Sequence, residues 1–407
     1  MVLSIAWIYL SEKAANLFNP QRSFIERISD RMARDNVLYI KIFQALSSHE
    51  DIISNEDREY LLKYTENVPY TRDDYDIIKI ITYLRDQDIS LFKLEPIASG
   101  VISLVFHGWD NTSKQEVAIK VKREGINNRI DRDLKDLKNQ IDFFQKFTNL
   151  NIKDIYEENK DILMNQVNFA QEVENIKFYH KINKNFNYIK IPKVYEELSN
   201  DDIIVMEYIR GNRLNDIIDT DDSIKYGNLL SKFIFKHFLI DRCFHGDMHP
   251  GNIIFLKDEE GNHQLGIIDF GIIGRLTREE QDVYVRSLKA FHERDIYEAY
   301  EIAIEDVIGP RENIDKLNKK DSDKLKDSLI VAINEVINQQ DEDNSFHQID
   351  RLSKALVNYD LKIKPVFAKV EMSIGVSQGV LDKLIKGHVD FFDLLMNTFE
   401  ELTELSL

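Results

Sequence analysis

The chain has a single cysteine, Cys243, among its 407 residues, which excludes an intramolecular disulfide and fits a reducing compartment. A lone thiol beside a motif reads as a buried structural group rather than a nucleophile. Seven prolines and fifteen glycines are few, so long extended linkers are excluded and a mostly helical chain is expected. No apolar run approaches the roughly twenty residues of a membrane span. The apolar opening Met1 to Leu10 has no basic leader and no evident cleavage site, which makes it a poor signal peptide. It reads as a helix that caps the fold, with a shallow dip into a lipid interface as the second reading. The other end closes on Phe391-Phe392-Asp393-Leu394-Leu395 and an acidic amphipathic stretch, so any membrane contact is expected to be peripheral and the protein otherwise cytoplasmic. A positive excess is missing as well: 53 basic against 71 acidic residues give a net charge of −18. That balance disfavours nucleic acid and unaided adsorption to an anionic membrane. Lys232, Lys236 and Lys289 are scattered cations of the kind found on solvated helix faces.

What is present points to phosphate chemistry. The length, with 43% hydrophobic residues, suffices for a sizeable core. The string His245-Gly246-Asp247-Met248-His249-Pro250-Gly251-Asn252 is followed by Asp269-Phe270-Gly271. A transferring phosphoryl group needs positioning, charge neutralisation by magnesium and a carboxylate near the nucleophile. Asp247 stands where a kinase catalytic loop has its base, Asn252 falls five residues later at the metal-binding Asn, and Asp269 opens the second metal motif. His245, Asp247 and His249 could alternatively hold a transition metal, but no matching second cluster is present, and oxygen ligands with phosphate suit magnesium better. Pro250 and Gly251 shape the turn that aims Asn252 inward.

Upstream, Glu116-Val117-Ala118-Ile119-Lys120-Val121 alternates like a half-buried strand. It matches the V-A-I-K strand whose Lys holds the nucleotide phosphates. The helix-rich segment from Asn165 to Lys181 offers Glu172 or Glu174 as the carboxylate partner of Lys120, and helical phase alone does not choose between them. Ile204 to Tyr208, with Glu207 as a nucleotide-binding candidate, reads as a hinge strand, and Gln264 to Ile268 as the strand that delivers Asp269. Before Lys120, the loop Pro96-Ile97-Ala98-Ser99-Gly100-Val101-Ile102-Ser103 has one glycine where typical protein kinases have three. Ala98, Ser99 and Gly100 are the candidates that line the phosphates.

That loop, together with the fused His-Gly-Asp string, resembles the UbiB/AarF family of atypical kinases, whose nucleotide loop is alanine-rich. Gly100 stands here for an expected alanine. The resemblance extends to Tyr39 to Ser47, which looks like the family's K-x-G-Q segment, and to Asp51-Ile52-Ile53 and Glu66-Asn67-Val68-Pro69. It implies that Lys41 and Gln44 point at the cleft, although Phe43 replaces the family's glycine. The family's E-x-D pair becomes Gln166-Val167-Asn168, while its E-A-x-N is kept as Glu172-Val173-Glu174-Asn175. Register with the latter selects Glu172 as the partner of Lys120. Losing two carboxylates weakens any clamp between the extension and this helix. The family's closing helices are echoed at Val370 to Ile374 and Leu381-Asp382.

The resemblance implies an α+β, two-lobed protein-kinase-like fold, mostly helical, with a helical extension over 1–91, an N-lobe over 92–209 and a helical C-lobe over 210–407. A break near Arg210-Gly211-Asn212 separates the lobes, Gly309-Pro310 ends a helix, and Arg311 to Asp327 is loop and exposed helix. The implied activity is magnesium-dependent ATP binding with phosphoryl transfer or hydrolysis, in support of isoprenoid quinone or other prenyl-lipid metabolism, with lipid-pathway enzymes as partners. The alternative is a nucleotide-binding regulator that scaffolds such enzymes.

Overall fold

In a computed structural model, the residues described are 68–144, 164–338 and 355–385, together with isolated positions between 23 and 60 and at 160, 352, 397 and 398. The expected features at Lys41, Phe43 and Gln44, the opening Met1 to Leu10 and the closing Phe391 to Leu395 lie outside them. Among the described residues, no helix is long and apolar enough to cross a membrane. The chain forms two compact units, one comprising Met1–Asn185, Ile191–Arg210 and Gly266–Ile272, the other Phe186–Lys190, Gly211–Leu265 and Ile273–Leu407.

In the first unit, helix α1 (Ile77–Asp86) starts at Asp76, whose carboxylate accepts from the N–H groups of Ile78 and Lys79, the usual way to satisfy orphan donors at a helix start. Strands β1 (Ile89–Leu91), β2 (Ala98–Ser99), β3 (Ser103–Asp110) and β4 (Gln115–Lys122) follow. Helices α2 (Ile126–Phe144) and α3 (Phe169–Ile182) come next. The sheet is antiparallel in the order β1-β3-β4 and then the later strand Ile203–Glu207, with β2 on β3. Side chains alternate across a strand. Leu104, Phe106, Val117, Ile119 and Val121 therefore share one face and pack with Ile80 and Leu84 of α1. The opposite face carries Val105 and His107, which register against Lys120 and Ala118. The sequence pattern thus spends one face of the sheet on core and leaves the other for Lys120.

Helix α3 begins at Phe169, where the Asn168 side chain caps it by accepting from Gln171 N at 3.1 Å. Its buried residues Phe169, Glu172, Asn175, Ile176 and Tyr179 recur at helical spacing and form one inward stripe. Asn168 therefore performs the capping task that an aspartate would perform at that position.

The second unit contains β5 (Ile189–Lys190) and, after the first unit's β6 (Ile203–Glu207), helices α4 (Leu214–Ile217) and α5 (Ser223–Leu239). Strands β7 (Cys243–His245), β8 (Ile253–Lys257), β9 (His263–Ile267, whose last two residues belong to the first unit) and β10 (Ile273–Arg275) follow. Helices α6 (Arg278–His292) and α7 (Ile296–Ile302), β11 (Ile308–Gly309), α8 (Arg311–Asp315), α9 (Lys319–Asn338), β12 (Lys362–Ile363) and α10 (Pro365–Ile385) complete it. The turn at Gly211 admits no side chain: a Cβ there would lie 2.8 Å from Phe255 O and 2.5 Å from Ile254 Cγ2. Phe238, Phe244, Tyr284, Ile302, Phe367 and Val370 form the main core of this unit. Cys243 is a fully buried thiol outside any disulfide.

The expected solvated face is corrected at one lysine. Lys236 is 1% exposed, with Nζ 2.7 Å from Asp241 Oδ2 and 4.4 Å from the centroid of the Phe186 ring. Its neighbours on α5 are buried aromatics, and an ion pair and a ring face help to retain its charge inside. Lys289 is exposed.

Candidate functional site

The sheet delivers Lys120 to the open face of the first unit, and α3 delivers Glu172. Lys120 Nζ lies 2.6 Å from Glu172 Oε1 and 2.8 Å from Asp269 Oδ2. Burial alone would push the lysine down, but the carboxylates of Asp269 and Glu172 outweigh it and hold the ammonium well above the usual lysine range. Lys120 is therefore a fixed cation between two carboxylates. Glu174, the other candidate from helical phase, instead pairs with Lys177 on the surface.

The Asp269 segment is held by its own turn and by α3. Asp269 Oδ1 accepts from Gly271 N at 2.9 Å, and Asn175 Nδ2 donates to Phe270 O at 2.9 Å. Phe270 is fully buried, with its ring 5.0 Å from that of Tyr179. Around Gly271, a Cβ would meet Asp269 Oδ1 at 3.3 Å, Gln166 Cγ at 3.5 Å and Glu172 Oε2 at 3.8 Å. Glu172 Oε2 and Gln166 Oε1 are buried acceptors without a hydrogen-bond partner. Carboxylate and amide oxygens are the donor type that a hard dication takes.

Within the same unit, the loop over 96–103 is a tight hairpin. Gly100 N donates to Ser103 O at 2.8 Å, and Ala98 and Ser99 register against Val105 and Leu104. The Ser99 hydroxyl is 2.7 Å from Val68 O, to which it donates, and it accepts from Arg123 Nη2 at 3.0 Å. Its oxygen is thus engaged away from any phosphate. Glu207 is engaged with Lys193: its N–H donates to Lys193 O at 2.8 Å and its Oε2 accepts from Lys193 N at 3.2 Å.

In the second unit, Asp247 follows β7, which pairs antiparallel with β10, His245 opposite Ile273. The loop is braced from within. His245 Nδ1 accepts from Asp247 N at 3.2 Å, His249 Nδ1 accepts from Gly251 N at 3.1 Å, and Asn252 Nδ2 donates to Asp247 O at 2.8 Å. The last bond leaves the Asn252 amide oxygen as its end for another partner. His249 Nε2 is 3.9 Å from Asp247 Oδ2. Arg213 Nη1 donates to Gly251 O at 2.9 Å, and Ser373 of α10 donates to His245 O at 2.7 Å.

Three of the candidates, Lys120, Glu172 and Asp269, thus meet in the first unit, and Asp247 and Asn252 meet in the second. Sequence reading gave no role to Arg123, Asn175 or Ser373. No local pattern gives a role to Arg123 at the end of β4, and only its 2% exposure shows that it is buried. Asn175 carried a signal, since it stands three residues after Glu172 and so on the same helix face.

Comparison with known proteins supplies the family. The model of the ABC1 atypical kinase-like domain matches residues 86–303, more than half of the chain. The chain is similar to a probable protein kinase UbiB of Pseudomonas fluorescens, 26% identical over 353 residues, which cover 83% of this chain and 64% of that protein. It is also similar to a chloroplastic aarF domain-containing protein kinase of Arabidopsis thaliana, 25% identical over 349 residues, covering 84% of this chain and 48% of the relative. The chain therefore spans about half to two thirds of the length of these relatives. Among solved structures, the complex of Rv3197 with erythromycin from Mycobacterium tuberculosis shares its fold, with a TM-score of 0.51 and 20% identity over 94% of both chains. With the motifs, the kinase-like fold and the matched domain in agreement, the chain belongs to the UbiB/AarF family of ABC1 atypical kinase-like proteins.

Proposed function

We propose that the protein is a magnesium-dependent ATP-binding phosphotransferase or ATPase that supports isoprenoid quinone or other prenyl-lipid metabolism. The observation that carries the reading is Lys120, a buried cation clamped between Glu172 and Asp269. Such a clamp holds one ammonium at the edge of an oxygen cradle, where a phosphate chain can replace a carboxylate as its partner.

In this reading, Lys120 holds the α and β phosphates while Glu172 keeps its ammonium in place. Ala98 and Gly100 approach the phosphates through their backbone, and Ser99 shapes the loop. Glu207 contributes its main-chain carbonyl to the base. Asp269 and Asn252 are the residues that would hold magnesium, which when bound would neutralise phosphate charge. Asp247 takes the proton of an acceptor hydroxyl or water, and its loop is braced by His245 and Asn252 so that the carboxylate does not have to be ordered during turnover. By the family resemblance, Lys41 and Gln44 are further nucleotide-binding candidates. Any membrane contact is peripheral and the protein is otherwise cytoplasmic.

The test is magnesium-dependent ATP turnover of the purified protein, with and without prenyl-lipid vesicles, beside Asp247→Asn. Turnover that rises with lipid and is lost in the variant supports the reading. Tight nucleotide binding without turnover in any condition replaces it with a nucleotide-binding regulator of lipid-pathway enzymes.

A further inference from the structure

The most fully engaged buried cation that the nucleotide chemistry leaves unused is Arg123, at the C-terminal end of β4. Its side chain is 1% exposed. Nε and Nη2 donate to Gly100 O at 3.0 and 2.9 Å, and Nη2 also reaches Ser99 Oγ at 3.0 Å and Pro69 O at 3.2 Å. Nη1 lies 3.0 Å from Asp74 Oδ1. Val68 N donates to Ser99 O at 2.8 Å, and the Ser99 hydroxyl donates to Val68 O at 2.7 Å. One guanidinium therefore joins two segments far apart in sequence, the turn at Ser99-Gly100 and the stretch Val68–Asp74.

Burying a guanidinium is costly unless its donors are met, and an apolar side chain would fill the same volume without that cost. What the guanidinium adds is direction: a planar fork fixes two carbonyls and a hydroxyl in one geometry, which a lysine cannot do. Gly100 is the loop's one glycine, and its carbonyl receives two of the five contacts.

We propose that Arg123 is a positioning residue that locks the Ser99-Gly100 turn onto Val68–Asp74, so that the stretch preceding the first unit's sheet sets the shape of the nucleotide loop. The proposal rests on the nucleotide reading of that loop. Displacing Val68–Asp74 removes the Pro69 and Asp74 contacts from Arg123 and the Val68 contacts from Ser99. The loop then loses its outer support while Lys120 keeps its own partners. Nucleotide affinity thereby becomes responsive to whatever holds or pulls the chain at Val68–Asp74.

The experiment combines Mg-ATP titration with amide hydrogen exchange on the full chain, for wild type, Arg123→Lys, Asp74→Asn and the double variant. Arg123→Lys is expected to bind Mg-ATP at least tenfold more weakly and to exchange faster over both 96–104 and 68–76, with exchange over 169–182 unchanged. Asp74→Asn moves both readouts in the same direction by less, and the double variant falls short of the sum, as shared contacts require. Faster exchange over 96–104 with unaltered Mg-ATP affinity overturns the positioning role, and unaltered exchange there overturns the lock itself. If Arg123→Lys does not fold, Asp74→Asn decides the matter by the same two readouts. A wild-type chain that binds no Mg-ATP removes the nucleotide reading and this positioning role with it, while exchange still decides whether the two segments are locked.

Discussion

The side-chain amide of Asn175 donates a 2.9 Å hydrogen bond to the carbonyl oxygen of Phe270, so the helix that supplies Glu172 also holds the turn that supplies Asp269. Asn175 is 5% exposed, and no solvent replaces the bond if the amide is removed. Asn175→Ala should therefore cost about 1–3 kcal/mol, the penalty for an unsatisfied buried carbonyl. Urea unfolding measures it, and a loss below the scatter of the midpoint would show that the carbonyl finds another partner.

Lys120 pairs with both Glu172 and Asp269. Lys120→Met should destabilise the chain by about 3–5 kcal/mol, since it strands the buried Glu172 carboxylate. The double variant Lys120→Met with Glu172→Gln should recover part of that loss. Equal midpoints for the single and double variants in urea would contradict the clamp.

A buried group, His237, and a half-buried one, Glu371, give stability a pH dependence of opposite sign. His237 is 1% exposed, with Nδ1 2.6 Å from Phe233 O. Burial first, then Lys236, pushes its pKa from 6.5 down to about 3. The folded state keeps this ring neutral where the unfolded chain protonates it, so stability is present above pH 6.5 and lost as pH falls from there toward 3, at up to about 1.4 kcal/mol per pH unit. His237→Gln should flatten that acid limb. Burial raises Glu371 from 4.5 to about 7, so its contribution is present below pH 4.5 and lost as pH rises toward 7. Glu371→Gln should gain on wild type over that window in thermal unfolding, and parallel curves would refute the assignment.

Gly100 needs no glycine on steric grounds: a Cβ there would meet Ser103 O at 3.5 Å, an ordinary contact. Gly100→Ala should stabilise the chain by about 0.4–1 kcal/mol by restricting the unfolded state. A loss of stability in thermal unfolding would show that the loop uses conformations an alanine cannot reach.

Much of the architecture was legible because it is written in short periods. The alternation of Glu116 to Val121 announces β4, and Gln264 to Ile268 matches β9 within one residue. Helix α3 was legible as a helix, but its start was not: Asn168 caps it, and a cap is recognised only when the donors it serves are known. Gly309-Pro310 was read as the end of a helix. The helical run from Ile296 does end at Val307, just before it; what was not legible is that Gly309 closes a two-residue strand paired with Lys362-Ile363 and that Pro310 caps the next helix, because the pairing partner lies some fifty residues away in sequence.

The sequence by itself determined which candidate residues the motifs offer and their order, Lys120 before Glu172, then Asp247, Asn252 and Asp269, since motif spacing is a property of the chain. Tertiary structure alone decided what each charge faces. Helical phase leaves Glu172 and Glu174 open, and family register together with the fold turns Glu172 inward to Lys120 and Glu174 outward to Lys177. The same holds for Lys236, which reads as a solvated cation, and for Arg123, to which no local pattern gives a role; they are buried at 1% and 2% exposure. A charge costs little in water and much inside, so its role is set by the partners that packing brings to it, and those partners lie at sequence distances that no local pattern spans.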